Sequence, residues 1–320
     1  MILVTGATGF VGSALVARLA REGIKTRACV RRNAAPMPNG IHIVQVGGLT
    51  ADADWSSALT GVATVVHAAA RVHVMDDTAI DPLTEFRRVN VQGTLHFARQ
   101  AAAAGVRRFV FISSIKVNGE ATRSGVPFSD DDMPAPLDPY GVSKMEAELG
   151  LRQIAVESGL ELVIIRPPLV YGPGVKANFA ALMRAVRRGW PLPLGAVHNQ
   201  RSLVALDNLV DFILTCIKHP GAANQTFLVS DGHDLSTTEL VRGLAGAAGV
   251  SARLLPVPVW ALRSGAALLG KGDAVQRLCG NLQVDISKAC SLLDWTPPVS
   301  VDEGLRRAVA GGAVASDNHL

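Results

Sequence analysis

The chain has 320 residues, 48% of them hydrophobic and 18% charged, with a formal net charge of +4 and a pI near 9.0. That balance excludes a disordered chain, and the length suits a large α/β domain with a smaller lobe attached. The basic residues are scattered and no aromatic-studded basic run occurs, which argues against nucleic-acid binding; the arginines read first as a solvated surface and, in the sharper reading, some of them face anionic ligands such as phosphates.

Val/Ile-rich runs alternate with Ala/Leu-rich amphipathic ones. Residues 2–5, 26–30, 41–46, 64–69, 108–114 and 161–166 read as buried strands, and 11–22, 83–104 and 140–158 as helices between them. This alternation predicts an α/β fold, a doubly wound parallel sheet over residues 1–170. Beyond Pro167, prolines and glycines loosen the pattern around a helix expected at 179–188. Strands at 202–206 and 226–230 are expected to return to the main sheet. Helices at 236–248 and 301–310 belong to a smaller, mixed carboxy-terminal substrate lobe built from 171–200 and 231–312, with 313–320 as a frayed tail.

Cys29, Cys216, Cys279 and Cys290 have neither metal-site spacing nor CxxC pairing, so free thiols in a reducing cytoplasm are expected and no metal. Met1 runs straight into Ile2-Leu3-Val4, without the features of a secretory leader. The apolar run 254–269 is broken by Pro256, Pro258 and Arg263. It reads as a helix of the small lobe and not as a membrane span.

Gly6-Ala7-Thr8-Gly9-Phe10-Val11-Gly12 joins the first strand to the first helix. Glycines there permit a tight turn, let backbone N–H groups approach a pyrophosphate and let the helix pack on the strand. Gly6, Thr8, Gly9, Phe10, Val11 and Gly12 are therefore assigned to a dinucleotide on a Rossmann-type sheet. The second strand ends in Val30-Arg31-Arg32, with no Asp or Glu between Thr26 and Pro38. An acidic residue would bind the ribose 2′-OH of NAD; Arg31 and Arg32 suit a 2′-phosphate, which favours NADP over NAD. His67, Ala68 and Ala69 close the fourth strand where a dinucleotide would cross the sheet edge.

Tyr140 and Lys144 stand at i and i+4 of one helix, so an ammonium can lie near a phenol. A positive charge there lowers a phenol's pKa, and such a phenol can exchange a proton with a carbinol oxygen as hydride is transferred. Ser113-Ser114 ends the fifth strand, at the sheet edge where α/β folds bind ligands. Ser114 is assigned the hydrogen bond to the substrate oxygen.

The glycine turn, Asn90, Ser114, Tyr140/Lys144 and the run Arg166-Pro167-Pro168-Leu169-Val170-Tyr171-Gly172-Pro173 resemble the extended short-chain dehydrogenase/reductase family, nearly end to end. Within it the chain is similar to the nucleotide-sugar epimerases, dehydratases and reductases. The resemblance implies a UDP-sugar substrate and catalysis by Ser114, Tyr140 and Lys144. It implies that Asn90, Ser113 and Pro167 border the cofactor. Ser114, Lys116, Asn178, Arg201 and Arg277 would meet the substrate, the two arginines at its diphosphate. It also implies a homodimer through 83–104 and 140–158.

Three departures narrow the reaction. Relatives place Asp after the third strand for the adenine amino group; here stand Gly47-Gly48-Leu49, with Asp52 as a replacement. Dehydratases carry Asp-Glu after the catalytic Ser, where this chain has Ile115-Lys116 and no acid for a leaving hydroxyl, which rejects dehydration. Epimerases often read Val-Tyr-Gly where this chain has Val117-Asn118-Gly119. Asn118 and the arginine pair favour reduction of the C4 keto group of a UDP-4-keto-6-deoxy-N-acetylhexosamine, for surface polysaccharide such as O-antigen. A UDP-hexose or UDP-N-acetylhexosamine 4-epimerase is the alternative, and a small-molecule ketone reductase of the same family a further one. A non-catalytic dinucleotide sensor would not need the retained Tyr140, Lys144 and Ser114.

Overall fold

A computed structural model describes residues 1–31, 37–72, 81–268, 270 and 272–314. Arg32, one of the cofactor candidates, lies outside the described residues.

The first strand, β1 (Ile2–Thr5), feeds α1 (Phe10–Arg21), β2 (Thr26–Val30), β3 (Ile41–Gln45), α2 (Ser56–Leu59) and β4 (Thr64–His67). After α3 (Pro82–Phe86) a widened π-helical segment, 87–93, leads into α4 (Thr94–Ala103) and β5 (Arg108–Ile112). A 3-10 turn at 115–117 precedes α5 (Pro139–Ser158) and β6 (Glu161–Arg166). These strands form a parallel sheet in the order β3-β2-β1-β4-β5-β6. The order reverses between β1 and β4, so the ligand crevice belongs at the carboxyl ends of those two strands.

Two buried layers hold the sheet. On one face Leu15, Val16 and Leu19 of α1 meet Val4, Val66 and Val110. On the other, Phe97 and Ala101 of α4 and Leu151 of α5 meet Leu3, Val65 and Phe109. Runs buried on both faces are continuous in apolar side chains, which is why the strands were legible as unbroken Val/Ile stretches.

Past β6 the expectations need correction. Pro167-Pro168 removes two ladder N–H groups, and the chain steps out of the sheet. It forms β7 (Leu169–Tyr171), α6 (Ala177–Arg187), β8 (Leu203–Ala205) and α7 (Leu206–Lys218). β8 pairs with β7 in a separate two-stranded sheet, so the segment 202–206 does not return to the main one. Only β9 (Gln225–Leu228) does, parallel to β6. Nine of the thirteen side chains of α7 are buried. The remainder comprises α8 (Thr237–Ala247), α9 (Val259–Leu268), α10 (Gly272–Cys279), α11 (Ser287–Leu293) and α12 (Val301–Val314), which runs into the predicted tail.

The continuous helix expected over 83–104 is instead interrupted by the π-helical segment. Its last residue, Gly93, lies against the backbone that follows β3: a Cβ there would stand 2.5 Å from the Leu49 carbonyl oxygen. The Gly47-Gly48-Leu49 segment is thus held on this helix, and Asp52 beyond it is exposed.

Candidate active site

The glycine turn is shaped as a backbone cradle. Gly6 has φ +67°, and a Cβ on it would stand 2.7 Å from the Ala69 nitrogen and 2.8 Å from the Ala68 oxygen. A Cβ on Gly12 would stand 2.1 Å from the Gly6 carbonyl oxygen. Only glycine lets β1, β4 and α1 converge so closely. Gly9 caps α1 without a side-chain hydrogen bond, and no acidic residue occupies the first turn. Its leading N–H groups therefore face an open groove where Thr8 and Gly9 are exposed and Phe10 and Val11 half-buried. An uncapped helix start of this kind fits a pyrophosphate. Arg31 is exposed just past β2, at the same edge.

Four other cofactor candidates have different placements from those expected. The His67 ring is fully buried and turned away from the groove, bonded to Thr5 Oγ1 at 2.8 Å and Thr94 Oγ1 at 3.0 Å. It ties β1 and β4 to α4. Burial pushes its pKa down to about 3, with the Lys144 charge acting in the same direction. Between about pH 6.5 and 3 the unfolded chain therefore binds a proton that the folded chain refuses, so stability falls as pH falls through that window. The urea midpoint should decline across it, and more shallowly in His67→Gln; identical declines would contradict the assignment.

Ser113 is buried too, and its hydroxyl donates to Glu148 Oε1 at 2.5 Å instead of facing the groove. Pro167 is buried, and its carbonyl accepts the Ile115 N–H at 3.0 Å, which places it behind Ser114. Asn90, on the π-helical segment, accepts from Arg71 N–H at 2.8 Å and donates to the Arg71 carbonyl and to Ser143 Oγ, both at 3.0 Å. Ser143 in turn donates to the Tyr140 carbonyl at 2.8 Å. Asn90 therefore acts through backbone, fixing the β4 exit loop and the first turn of α5 together.

α5 begins where its sequence says it should. Asp138 caps it, accepting the Gly141 N–H at 2.6 Å, and Pro139 occupies the first helical position. Lys116 Nζ is bound by Asp138 and Glu120. That tether pulls the start of α5 onto the 115–117 turn, and Gly141 permits it, since a Cβ there would stand 2.9 Å from the Lys116 carbonyl oxygen. Lys116, expected to touch substrate, is already committed to two carboxylates. The effect is to bring the first turn of α5, which carries Tyr140, onto the turn that Ser114 caps. Ser114 caps the 3-10 turn, its Oγ accepting from Lys116 N–H at 3.3 Å, which leaves its own hydrogen to donate.

Tyr140 is half-buried, its ring edge-on to Phe86 at 6.0 Å. Lys144 Nζ is buried, donates to the Ile112 carbonyl at 2.8 Å and lies 4.5 Å from the Phe111 ring centroid and 5.9 Å from that of Tyr140. Burial draws Lys144 down to about 7, against the opposing pull of Glu148. Burial, and then the Asp138 carboxylate, push the Tyr140 phenol well above its usual range. The expectation that Lys144 lowers the phenol is thus not met in the chain by itself: the ammonium is half-titrated near neutrality and shared with a carbonyl. The phenol accordingly holds its proton in the chain by itself, and it needs further positive charge before it can serve as base.

Beneath the pair lies a network that residue spacing did not reveal. Arg166 grips Glu148 through two bonds, at 3.0 and 2.6 Å, and donates to Asn118 Oδ1 at 2.9 Å. Asn118 donates onward to the Ser129 carbonyl. Asn118 is therefore buried support and says nothing about reduction against epimerisation. Tyr140, Lys144 and Glu148 occupy i, i+4 and i+8 of α5, a spacing that could have pointed to Glu148.

The other substrate candidates, Asn178, Arg201 and Arg277, fall on the carboxy-terminal lobe. Asn178 is exposed at the start of α6, next to Ala177, whose φ of 54° is unusual for a non-glycine. Arg201 is half-buried and donates to the Gly280 carbonyl at 3.0 Å, directly after α10, on which Arg277 is exposed. The lobe reaches the site through a small core of Ile115, Leu228, Leu282 and Val284.

A family model described as the NAD dependent epimerase/dehydratase family matches residues 2–230. The chain belongs to that family. As a member of the NAD dependent epimerase/dehydratase family it is an NAD-dependent enzyme with the extended short-chain dehydrogenase/reductase fold. It is 52% identical over 307 residues to a UDP-glucose 4-epimerase of Vibrio cholerae, spanning 96% of this chain and 93% of the relative. It is 28% identical over 324 residues to the N-acetyl-alpha-D-glucosaminyl-diphospho-ditrans,octacis-undecaprenol 4-epimerase of Escherichia coli O157:H7, spanning 96% and 94%. The structure of MoeE5 in complex with UDP-glucose and NAD superposes with a TM-score of 0.78 at 27% identity, covering 98% of this chain and 99% of that one.

Proposed function

We propose that the chain is a UDP-sugar 4-epimerase. The observation that supports this reading is that α5, bearing Tyr140 and Lys144, packs on the turn capped by Ser114 at the carboxyl end of β5, beside a glycine cradle that suits a pyrophosphate. The 52% relative favours epimerisation, the alternative of the sequence reading, over reduction. A bound nicotinamide dinucleotide supplies the hydride acceptor and donor and, when oxidised, a positive charge near the phenol. Ser114 donates to the C4 oxygen and orients it. Tyr140 takes the C4 hydroxyl proton and returns it, with Lys144 bearing the compensating charge. Residues 1–170 with 202–230 hold the dinucleotide, and 171–200 with 231–312 the sugar nucleotide.

Arg201 supports a diphosphate: burial lowers its pKa, and none of the ion pairs among the described residues includes it. A half-buried guanidinium without a counter-charge is stabilised by a phosphate, which it can bind bidentately. Asn178 and Arg277 would assist from α6 and α10. Arg201→Ala should raise KM for a UDP-sugar by about 10- to 100-fold, in line with about 1.5–3 kcal/mol for a charge-assisted bond, with little change in kcat. Unaltered KM in a folded variant would remove the nucleotide-sugar reading and favour a small ketone substrate. Exposed Leu149 and Val156 on α5 suit the pairing face of a homodimer.

A second reading, 4-keto reduction with NADP, rests on Arg31 and the lack of any acidic residue between Thr26 and Pro38. One pair of assays separates them. Epimerisation predicts interconversion of UDP-N-acetylglucosamine or UDP-glucose with its C4 epimer without net change in cofactor absorbance. Net oxidation of NADPH by a UDP-4-keto-6-deoxy sugar, with no interconversion in the first assay, would select reduction.

A further inference from the structure

The carboxy-terminal lobe carries a charge distribution that the proposed diphosphate contacts at Asn178 and Arg201 use only in part. The chain as a whole has 31 Lys+Arg against 27 Asp+Glu, yet residues 174–206 and 240–272 contain no Asp or Glu at all. The fold lays these two stretches side by side. Leu192 N–H donates to the Arg253 carbonyl and Leu255 N–H to the Leu192 carbonyl, both at 2.8 Å, and Gly195 N–H donates to the Leu255 carbonyl at 2.9 Å. Gly195 permits the approach, because a Cβ there would stand 3.0 Å from the Leu255 backbone.

Along this edge large apolar side chains face solvent: Trp190 is 54% exposed, Leu255 49%, Trp260 72% and Leu268 89%. On α9 the exposed residues Trp260, Arg263, Ser264, Ala267 and Leu268 recur at i, i+3, i+4, i+7 and i+8, which is one helical face. Leu262 packs into the lobe core from the other. Arg253 and Arg263 are exposed on the same edge, and the Arg188 guanidinium lies 5.4 Å from the Trp190 ring centroid.

A second copy docked here would set two arginine-bearing stretches, each without acidic residues of its own, against each other, and like charge opposes that. An anionic bilayer matches both parts of the surface. Tryptophan rings favour the headgroup level, and arginine stems lie along apolar surface with their heads at the phosphates. We infer that this edge, Trp190 and 253–268, is a docking surface for an anionic phospholipid bilayer. The association is peripheral, and among the described residues no helix is long and apolar enough to cross a membrane. α9 packs on α10, whose end meets Arg201, so a docked chain holds the Arg201 side of the groove near the interface. The inference stands apart from the reaction proposed above.

Trp55 and Trp295 are 2% and 4% exposed, so an emission shift on adding vesicles reports Trp190 and Trp260. The full chain should co-sediment with phosphatidylglycerol/phosphatidylethanolamine vesicles and shift its emission to the blue, but do neither with phosphatidylcholine. Each of Arg253→Gln and Arg263→Gln should weaken binding about five-fold. Salt near 1 M, with a Debye length of about 3 Å, should release most of the protein. Trp260→Ser with Leu268→Ser should abolish binding while circular dichroism and the unfolding midpoint stay those of the parent. No binding, equal binding to both vesicle types, or binding unaffected by the arginine variants overturns the inference. So does a loss of dimer in the Trp260→Ser/Leu268→Ser chain, which assigns the face to a second copy.

Discussion

Tyr140→Phe is expected to lower kcat by about 10²- to 10⁴-fold while dinucleotide binding persists. The substitution removes only the oxygen that, in the proposed mechanism, exchanges a proton with the C4 hydroxyl. The ring stays, packed on Phe86, and the α5 start remains capped by Asp138. The cradle at Gly6, Gly9 and Gly12 belongs to other elements and is untouched. Isothermal titration with the dinucleotide and steady-state turnover measured on the same preparation check both halves. A variant that kept more than about a tenth of its turnover would show that another group handles the proton.

Glu148→Ala is expected to cost about 3–5 kcal/mol of stability, more than any other single truncation at the site. It strands the Arg166 guanidinium, 3% exposed on its side chain, without its counter-charge and leaves the Ser113 hydroxyl without an acceptor. The double variant Glu148→Leu/Arg166→Met should recover most of that loss, because it removes both charges and fills the volume. Urea unfolding of the three chains decides the matter: a Glu148→Ala loss below about 1 kcal/mol would mean that water takes over the solvation of Arg166. If the network also sets the register between β5 and α5, the double variant regains stability but not full kcat, since Ser113 still lacks its partner.

The division between what could be read and what could not follows the range of the physics involved. β1 with its glycine turn, the unbroken Val/Ile strands and the Asp138-Pro139 start of α5 are set by neighbours in sequence, through backbone sterics, periodicity and local hydrogen bonds. Tyr140 and Lys144 share a helix face for the same reason. Those features were legible. His67 and Ser113 were misplaced because alternation along a strand says which side chains are buried, not which partner they find. Their partners, Thr5, Thr94 and Glu148, come from other elements. The placement of 202–206 beside β7 instead of β6 was likewise invisible, since a short apolar strand carries no mark of the edge it will join.

By itself, then, the amino-acid order determined the parallel sheet and its glycine turn, and it marked the phenol, ammonium and hydroxyl as candidates. Tertiary structure alone decided their chemistry. Burial of Lys144 against the Ile112 carbonyl, and of Tyr140 above Asp138, sets which protonation states are available, and desolvation depends on everything packed around a group and not on its neighbours in the chain.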